Sequence, residues 1–131
     1  VKRKWLSQID WEFVTATNEA LCRPKKTLHR ASSDGYEPTR ALWEKDHRRL
    51  LSLIDAVELC RECHRLAPFC NFNGNTFVAI VRALALRFAL PPDRAYAVRG
   101  WMGHIVAGTA SDEETKQFRA FSDSLTEEEI R

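Results

Sequence analysis

The sequence predicts an all-α domain, a helical bundle with at most one short β-hairpin. Apolar residues recur at helical spacing through most of the chain, and proline, glycine and asparagine close the segments between them. Strand evidence is confined to one stretch, 25–38. At 131 residues the chain forms a single domain, 1–131, and its 44% apolar content is enough to fill a core.

The first helix is predicted from Trp5 to Leu21, with Trp5, Ile9, Phe13 (or Val14), Thr17 and Leu21 on one stripe. Arg23-Pro24 stops it, because proline disfavours helix in the residue before it. Periodicity is lost over 25–38, where Ser32-Ser33-Asp34-Gly35 is turn chemistry and a hairpin or extended flap fits. Thr39 is a fair N-cap, and Trp43, Leu50, Ile54 and Val57 continue on a helical stripe. The pattern from Thr39 to Leu66 is too long for one ordinary helix, so a break near Leu51-Ser52-Leu53 divides it. Pro68 ends the second half.

Cys70 to Asn75 has loop composition. A strongly apolar helix then runs from about Thr76 to Leu90 with Phe77, Ile80, Val81, Leu84, Ala85 and Phe88. Being apolar on most of its circumference, it belongs in the centre of the bundle, with Ile80, Leu84 and Phe88 buried. Pro91-Pro92 terminates it. A helix from about Asp93 to Val106, ended by Gly108, follows. The last helix opens on a capping box, Ser111 with Glu114.

Composition narrows the partners. The net charge of +2 is too small to argue for a nucleic acid or a membrane surface, and the basic start, Val-Lys-Arg-Lys, reads as a solvated terminus. No apolar run reaches the ~18 residues of a membrane span; Phe77 to Leu90 is interrupted by Arg82 and Arg87. No secretory signal opens the chain, which begins with Val and so reads as an excised domain or processed product. Cys22, Cys60, Cys63 and Cys70 read as reduced thiols in a cytosolic setting, since a bridge between Cys60 and Cys63 would strain the helix that carries both.

The strongest local feature is the Asn- and Gly-rich loop that leads into the apolar helix. The first N–H groups of a helix lack intrahelical partners and carry partial positive charge, which makes an anion site. Gly74 lets a backbone come close to a bound group, and Asn75 and Thr76 can donate side-chain hydrogen bonds. The competing reading is that these residues turn the chain and cap the helix.

The run Ala67, Pro68, Phe69, Cys70, Asn71, Phe72, Asn73, Gly74, Asn75 resembles the Fic-domain motif HPFx(D/E)GNGR, with Pro68, Phe69, Asn73 and Gly74 matching outright. Its flanks are similar in character, VELCRECHRL before and ALALRFALPP after, so the resemblance covers 53–92. It implies a Fic-type helical bundle with a core over 39–107 and a target-docking flap at 25–38. It also implies transfer of a nucleotide monophosphate, or a related phosphate-containing group, from ATP or another nucleotide-type donor. The acceptor would be a Ser, Thr or Tyr hydroxyl of a target protein. AMPylation by a bacterial effector or toxin, acting in its own or a target cell's cytoplasm, is the activity such domains perform.

By that resemblance Phe69, Asn71, Asn73, Gly74, Asn75 and Thr76 form the nucleotide and phosphate site, and Asn71 takes the place of the acid that ligates Mg²⁺. The departures carry chemical consequences. The family's histidine, the general base, is replaced by Ala67, whose methyl group takes no proton, so the chain as written transfers nothing. Asn71 offers one neutral oxygen to a hard cation. Phe72 replaces a glycine, Asn75 an arginine, and Val78 a second arginine, with Arg82 one turn further on. Ala67 is either a natural loss in a degenerate member or an engineered His→Ala change. The alternative function is a non-catalytic Fic-fold protein-binding module.

Other constellations are weaker. Cys60-Arg61-Glu62-Cys63-His64 matches a haem-attachment string, and with Cys70 it offers zinc ligands, but inside an amphipathic helix core thiols are the better account. His104 can face a pocket or be structural, while His29 and His47 read as surface or flap residues. Thr15 to Glu19 has the spacing of the Fic inhibitory helix, but with Val78 unable to pair, Glu19 reads as helix surface.

Overall fold

Asp10 starts the first helix: its carboxylate accepts the Phe13 N–H at 2.8 Å, the geometry of an N-cap. In the computed structural model, which describes residues 1–131, six α-helices follow: α1 Trp11–Cys22, α2 Tyr36–Asp46, α3 Leu53–Leu66, α4 Asn73–Ala85, α5 Pro92–Ala107 and α6 Asp112–Ser124. Two short strands, β1 Lys2–Arg3 and β2 Leu51–Ser52, pair antiparallel. The all-α bundle and a small two-stranded sheet are therefore present, but the sheet joins the N-terminus to the entrance of α3. The segment 25–38 instead holds a single bridge, Ala31 to Phe69.

The cap at Asp10 moves the start of α1 six residues later than expected and rotates its inner face. Trp11, Val14, Asn18 and Cys22 are buried, while Phe13 is 52% exposed. Trp5 and Leu6 are buried ahead of the helix, and Arg3 pairs with Glu127, so the basic N-terminus is tied down. Helix α2 begins at Gly35 and not at Thr39, which lies inside it and bonds back to the Gly35 carbonyl at 2.6 Å. The break at 51–53 occurs as expected, with Ser52 capping α3 through the Asp55 N–H. Leu50 falls outside both helices and is exposed. His47 is buried, stacked on Trp43 and bonded to its carbonyl.

Helix α4 packs against α1, α3 and α5 and so is the central helix. Phe77, Ile80, Val81 and Leu84 are buried, each worth about 1.5–3 kcal/mol on removal from water. It stops at Ala85, not Leu90, because the C-terminal tail claims the backbone beyond. Ala89 N–H donates to the Glu129 carbonyl and Arg131 N–H to that of Arg87, both at 2.7 Å. Phe88 remains buried, edge-on to Trp5 and Phe121. Gly108 closes α5 in the left-handed region, and the capping box at Ser111 and Glu114 forms on both sides. No helix is long and apolar enough to cross a membrane.

Candidate functional site

The loop 67–72 between α3 and α4 is held from three directions. Ala67 closes α3 in the left-handed conformation, φ 52° and ψ 71°, with its N–H on the His64 carbonyl. From the segment before α2, Ser32 Oγ donates to the Ala67 carbonyl at 2.6 Å and Ser32 N–H to that of Pro68 at 2.8 Å. Cys70 N–H returns a bond to the Arg30 carbonyl at 2.9 Å. Gly35 is buried against the carbonyl oxygens of Leu66 and Ala67, where any Cβ would collide with backbone.

Most polar side chains in and just after the loop are spent on backbone groups of the protein. Asn73 clasps Phe69, accepting from its N–H at 2.9 Å and donating to its carbonyl at 2.8 Å. Asn71 donates to the Leu28 carbonyl at 3.0 Å. Thr76 Oγ1 donates to the Phe72 carbonyl at 2.7 Å. Phe69 is buried, stacked on Trp11 and edge-on to Tyr36. Beneath them sits Asn18, fully buried on α1. Its amide donates to the Asn71 carbonyl at 2.8 Å and to Thr76 Oγ1 at 3.0 Å, and its oxygen accepts from His29 Nδ1 at 2.8 Å. Sequence reasoning missed Asn18: a buried amide looks like any polar residue of an exposed helix face.

Phe72 precedes α4 with φ 58° and ψ 34°. A side chain in that region costs ~1–2 kcal/mol, and this is the position where the Fic pattern carries its first glycine. Three helices, α1, α3 and α6, are capped by a side chain, whereas α4 is not. The N–H groups of Asn73, Gly74 and Asn75 find no partner in the protein; the first α4 bond runs from Thr76 N–H to the Phe72 carbonyl. This helix start opens onto a groove of about 680 Å³ along α4 and α5. Its lining includes Gly74, Asn75, Val78, Ala79, Arg82 and Arg99, and no carboxylate.

Of the residues expected in the site, only Gly74 and Asn75 reach that groove. Phe69 and Thr76 lie in the core, Asn71 and Asn73 serve the loop, and Ala67 is exposed at the end of α3, outside the groove. Gly74 also has a role the motif did not reveal: a Cβ there would lie 3.1 Å from the His64 ring, so the missing side chain makes room for histidine. His64 Nδ1 lies 2.7 Å from the Val106 carbonyl, which only accepts, so Nδ1 carries the proton and Nε2 keeps its lone pair in the neutral ring. Arg61 bonds the Ile105 carbonyl at 3.1 Å, and the two side chains together cap the end of α5.

The donor set does not suit Mg²⁺. Asn71 supplies one amide oxygen, and no three His, Cys, Asp or Glu side chains gather where they can hold an ion. Cys60 and Cys63 are buried, and burial pushes the Cys63 thiol up to about 12, away from the thiolate a metal requires. Glu19 is exposed and pairs with Arg23 at 2.7 Å. His104 is exposed and bonds Glu114 at 2.6 Å, which holds that carboxyl below its ordinary range.

Fold and site together define an all-helical domain whose central helix begins, without a side-chain cap, at the mouth of a groove that carries arginines. Comparison with family models, curated proteins and solved structures returned no match.

Proposed function

We propose that the chain is a Fic-like domain that binds a phosphate-bearing, nucleotide-type ligand in the α4–α5 groove. The transfer reaction of such domains, onto a Ser, Thr or Tyr hydroxyl of a target protein, is silent here because Ala67 takes no proton. The observation that carries the reading is the coincidence of the α4 start, with three unpartnered N–H groups, and a groove lined by two arginines and no carboxylate. The left-handed Phe72 supports the resemblance further, since a position that pattern reserves for glycine takes a backbone conformation that favours glycine.

A second reading, a protein-binding module, draws on Leu86, which lines the far part of the groove and is 76% exposed. Asn75→Glu separates the two. Asn75 is exposed in the first turn of α4, so a carboxylate there should stabilise the helix by about 0.3–1 kcal/mol while repelling an anion. Titration of AMP, ATP and phosphocholine-type donors, followed by NMR, is expected to show weak binding to the wild type with little dependence on Mg²⁺. The same titration should show none to Asn75→Glu. Equal shifts in both proteins would remove the groove as a phosphate site. Ala67→His then tests the silent reaction. A left-handed residue tolerates histidine, and a restored base contributes ~10²–10⁴-fold, so label transfer to a protein target should appear. Absence of transfer with every donor would leave the binding module.

A further inference from the structure

Arg82 and Arg99 line the same groove as the α4 start, and neither has an ion-pair partner in the protein. The Arg82 Nε is buried and has no hydrogen-bond partner. Its guanidinium lies over Gly103 of α5, where a Cβ would come within 3.1 Å of both Nε and Nη2. The glycine thus leaves room for the planar group to rest on the helix, and no protein acceptor competes with an anion for it. Both arginines also line an adjoining cavity of about 280 Å³, whose one carboxylate is Glu114. It is engaged with His104 at 2.6 Å and with the Ser111 N–H at 3.1 Å.

Gly74 and Arg82 sit two turns apart on α4, a rise of about 12 Å, which the backward lean of a helical side chain shortens. Between them on α4 the groove is lined by small apolar side chains, Val78 and Ala79, and Leu21 from α1 lines it too. We propose that Arg82 and Arg99 form a second anion subsite in this groove. The ligand is then a nucleotide-type molecule with two phosphoryl groups separated by a nucleoside body, in contrast to a contiguous polyphosphate. The inference rests on the phosphate-binding reading of the α4 start and adds the residues that select the ligand's length.

Calorimetric titration of the full chain tests it with two probes, AMP and the 5′-phosphorylated dinucleotide pApA. The dinucleotide should bind at least about tenfold more tightly than AMP, the advantage expected from one further charge-assisted contact. Arg82→Gln and Arg99→Gln should each remove that advantage, weakening pApA binding by a larger factor than AMP binding. Arg99 is exposed, so its variant keeps the fold even if Arg82→Gln does not. Gly103→Ala, whose Cβ would press on the Arg82 guanidinium at 3.1 Å and shift it by a few tenths of an ångström, should reduce the pApA advantage without abolishing it. Equal affinity for the two probes, or a pApA advantage that survives both arginine variants, overturns the second subsite while the α4 start remains a binding site. Failure of the wild type to bind either probe overturns both readings.

Discussion

Asn18 is the side chain from which the site loop hangs, and replacing it with leucine tests how the loop is held. The amide is fully buried and makes four contacts, to the Asn71 carbonyl, to Thr76 Oγ1, from His29 Nδ1 and, at 3.6 Å, from Cys22 Sγ. In Asn18→Leu, Thr76 still donates to the Phe72 carbonyl and the Cys22 thiol still reaches the Leu28 carbonyl, so the groups left without a partner are the Asn71 carbonyl and the His29 N–H. A stranded polar group costs about 1–3 kcal/mol, and the His29 ring, 26% exposed, can turn towards water. The expected loss is therefore about 2–4 kcal/mol of a total near 5–15, read as a lower urea midpoint with an unchanged slope. Asn18→Asp should be worse at neutral pH. It keeps the acceptor for His29 but turns a buried carboxylate towards the Asn71 carbonyl, and the deficit should narrow as the carboxylate is protonated in acid. A leucine variant within about 0.5 kcal/mol of the wild type, or an aspartate variant as stable as it, would refute the view that this amide organises the loop.

Leu84 is 3% exposed on the central helix, so Leu84→Ala should cost about 2–5 kcal/mol in chemical denaturation. Ala67→Gly should stabilise by about 1 kcal/mol, because an exposed residue at φ 52° gains from losing its Cβ and the methyl buries little; an unchanged thermal midpoint would count against the left-handed cap. Native alkylation with iodoacetamide near pH 8, followed by mass spectrometry, should label Cys70 alone, since Cys22, Cys60 and Cys63 are buried and their thiols are pushed upward by desolvation. Labelling of Cys60 or Cys63 without denaturant would show that α3 is not packed as described.

The helices were legible where their end signals are local. Ser111 with Glu114, Gly108, and the break before Leu53 follow from short-range chemistry, and each lies where the pattern placed it. The errors arose where a distant segment decides. Trp5 continues the stripe of α1 by spacing, yet Asp10 caps the helix later; of the pair Phe13 or Val14 it is Val14 that turns inward, and Asn18 takes the place of Thr17. The apolar pattern runs on to Leu90, yet Glu129 and Arg131 return to bond with the backbone of Ala89 and Arg87, and α4 ends at Ala85. His47 looked like surface because nothing in its neighbours announces that Trp43 covers its ring.

The site divides along the same line. That a loop precedes a buried helix, with glycine and asparagine at the turn, is a one-dimensional signal, and Gly74 and Asn75 do stand at the groove. Which polar groups remain free for a ligand is a three-dimensional question, because the loop must first satisfy its own backbone. Asn73 is consumed by Phe69, Asn71 by Leu28 and Thr76 by Phe72, each through a bond no longer than 3.0 Å, so the residue types that suggested ligand contacts are those that fold the loop. Charge then has to come from elsewhere. The arginine positions of the motif hold Asn75 and Val78, whereas the structure brings Arg82 to the groove by its place on α4, and Arg99 from the antiparallel helix. Because Arg99 lies 17 positions beyond Arg82 and across a proline-closed turn, no motif spacing links the two; only the packing of α5 on α4, with Gly103 at the contact, puts them on one cavity.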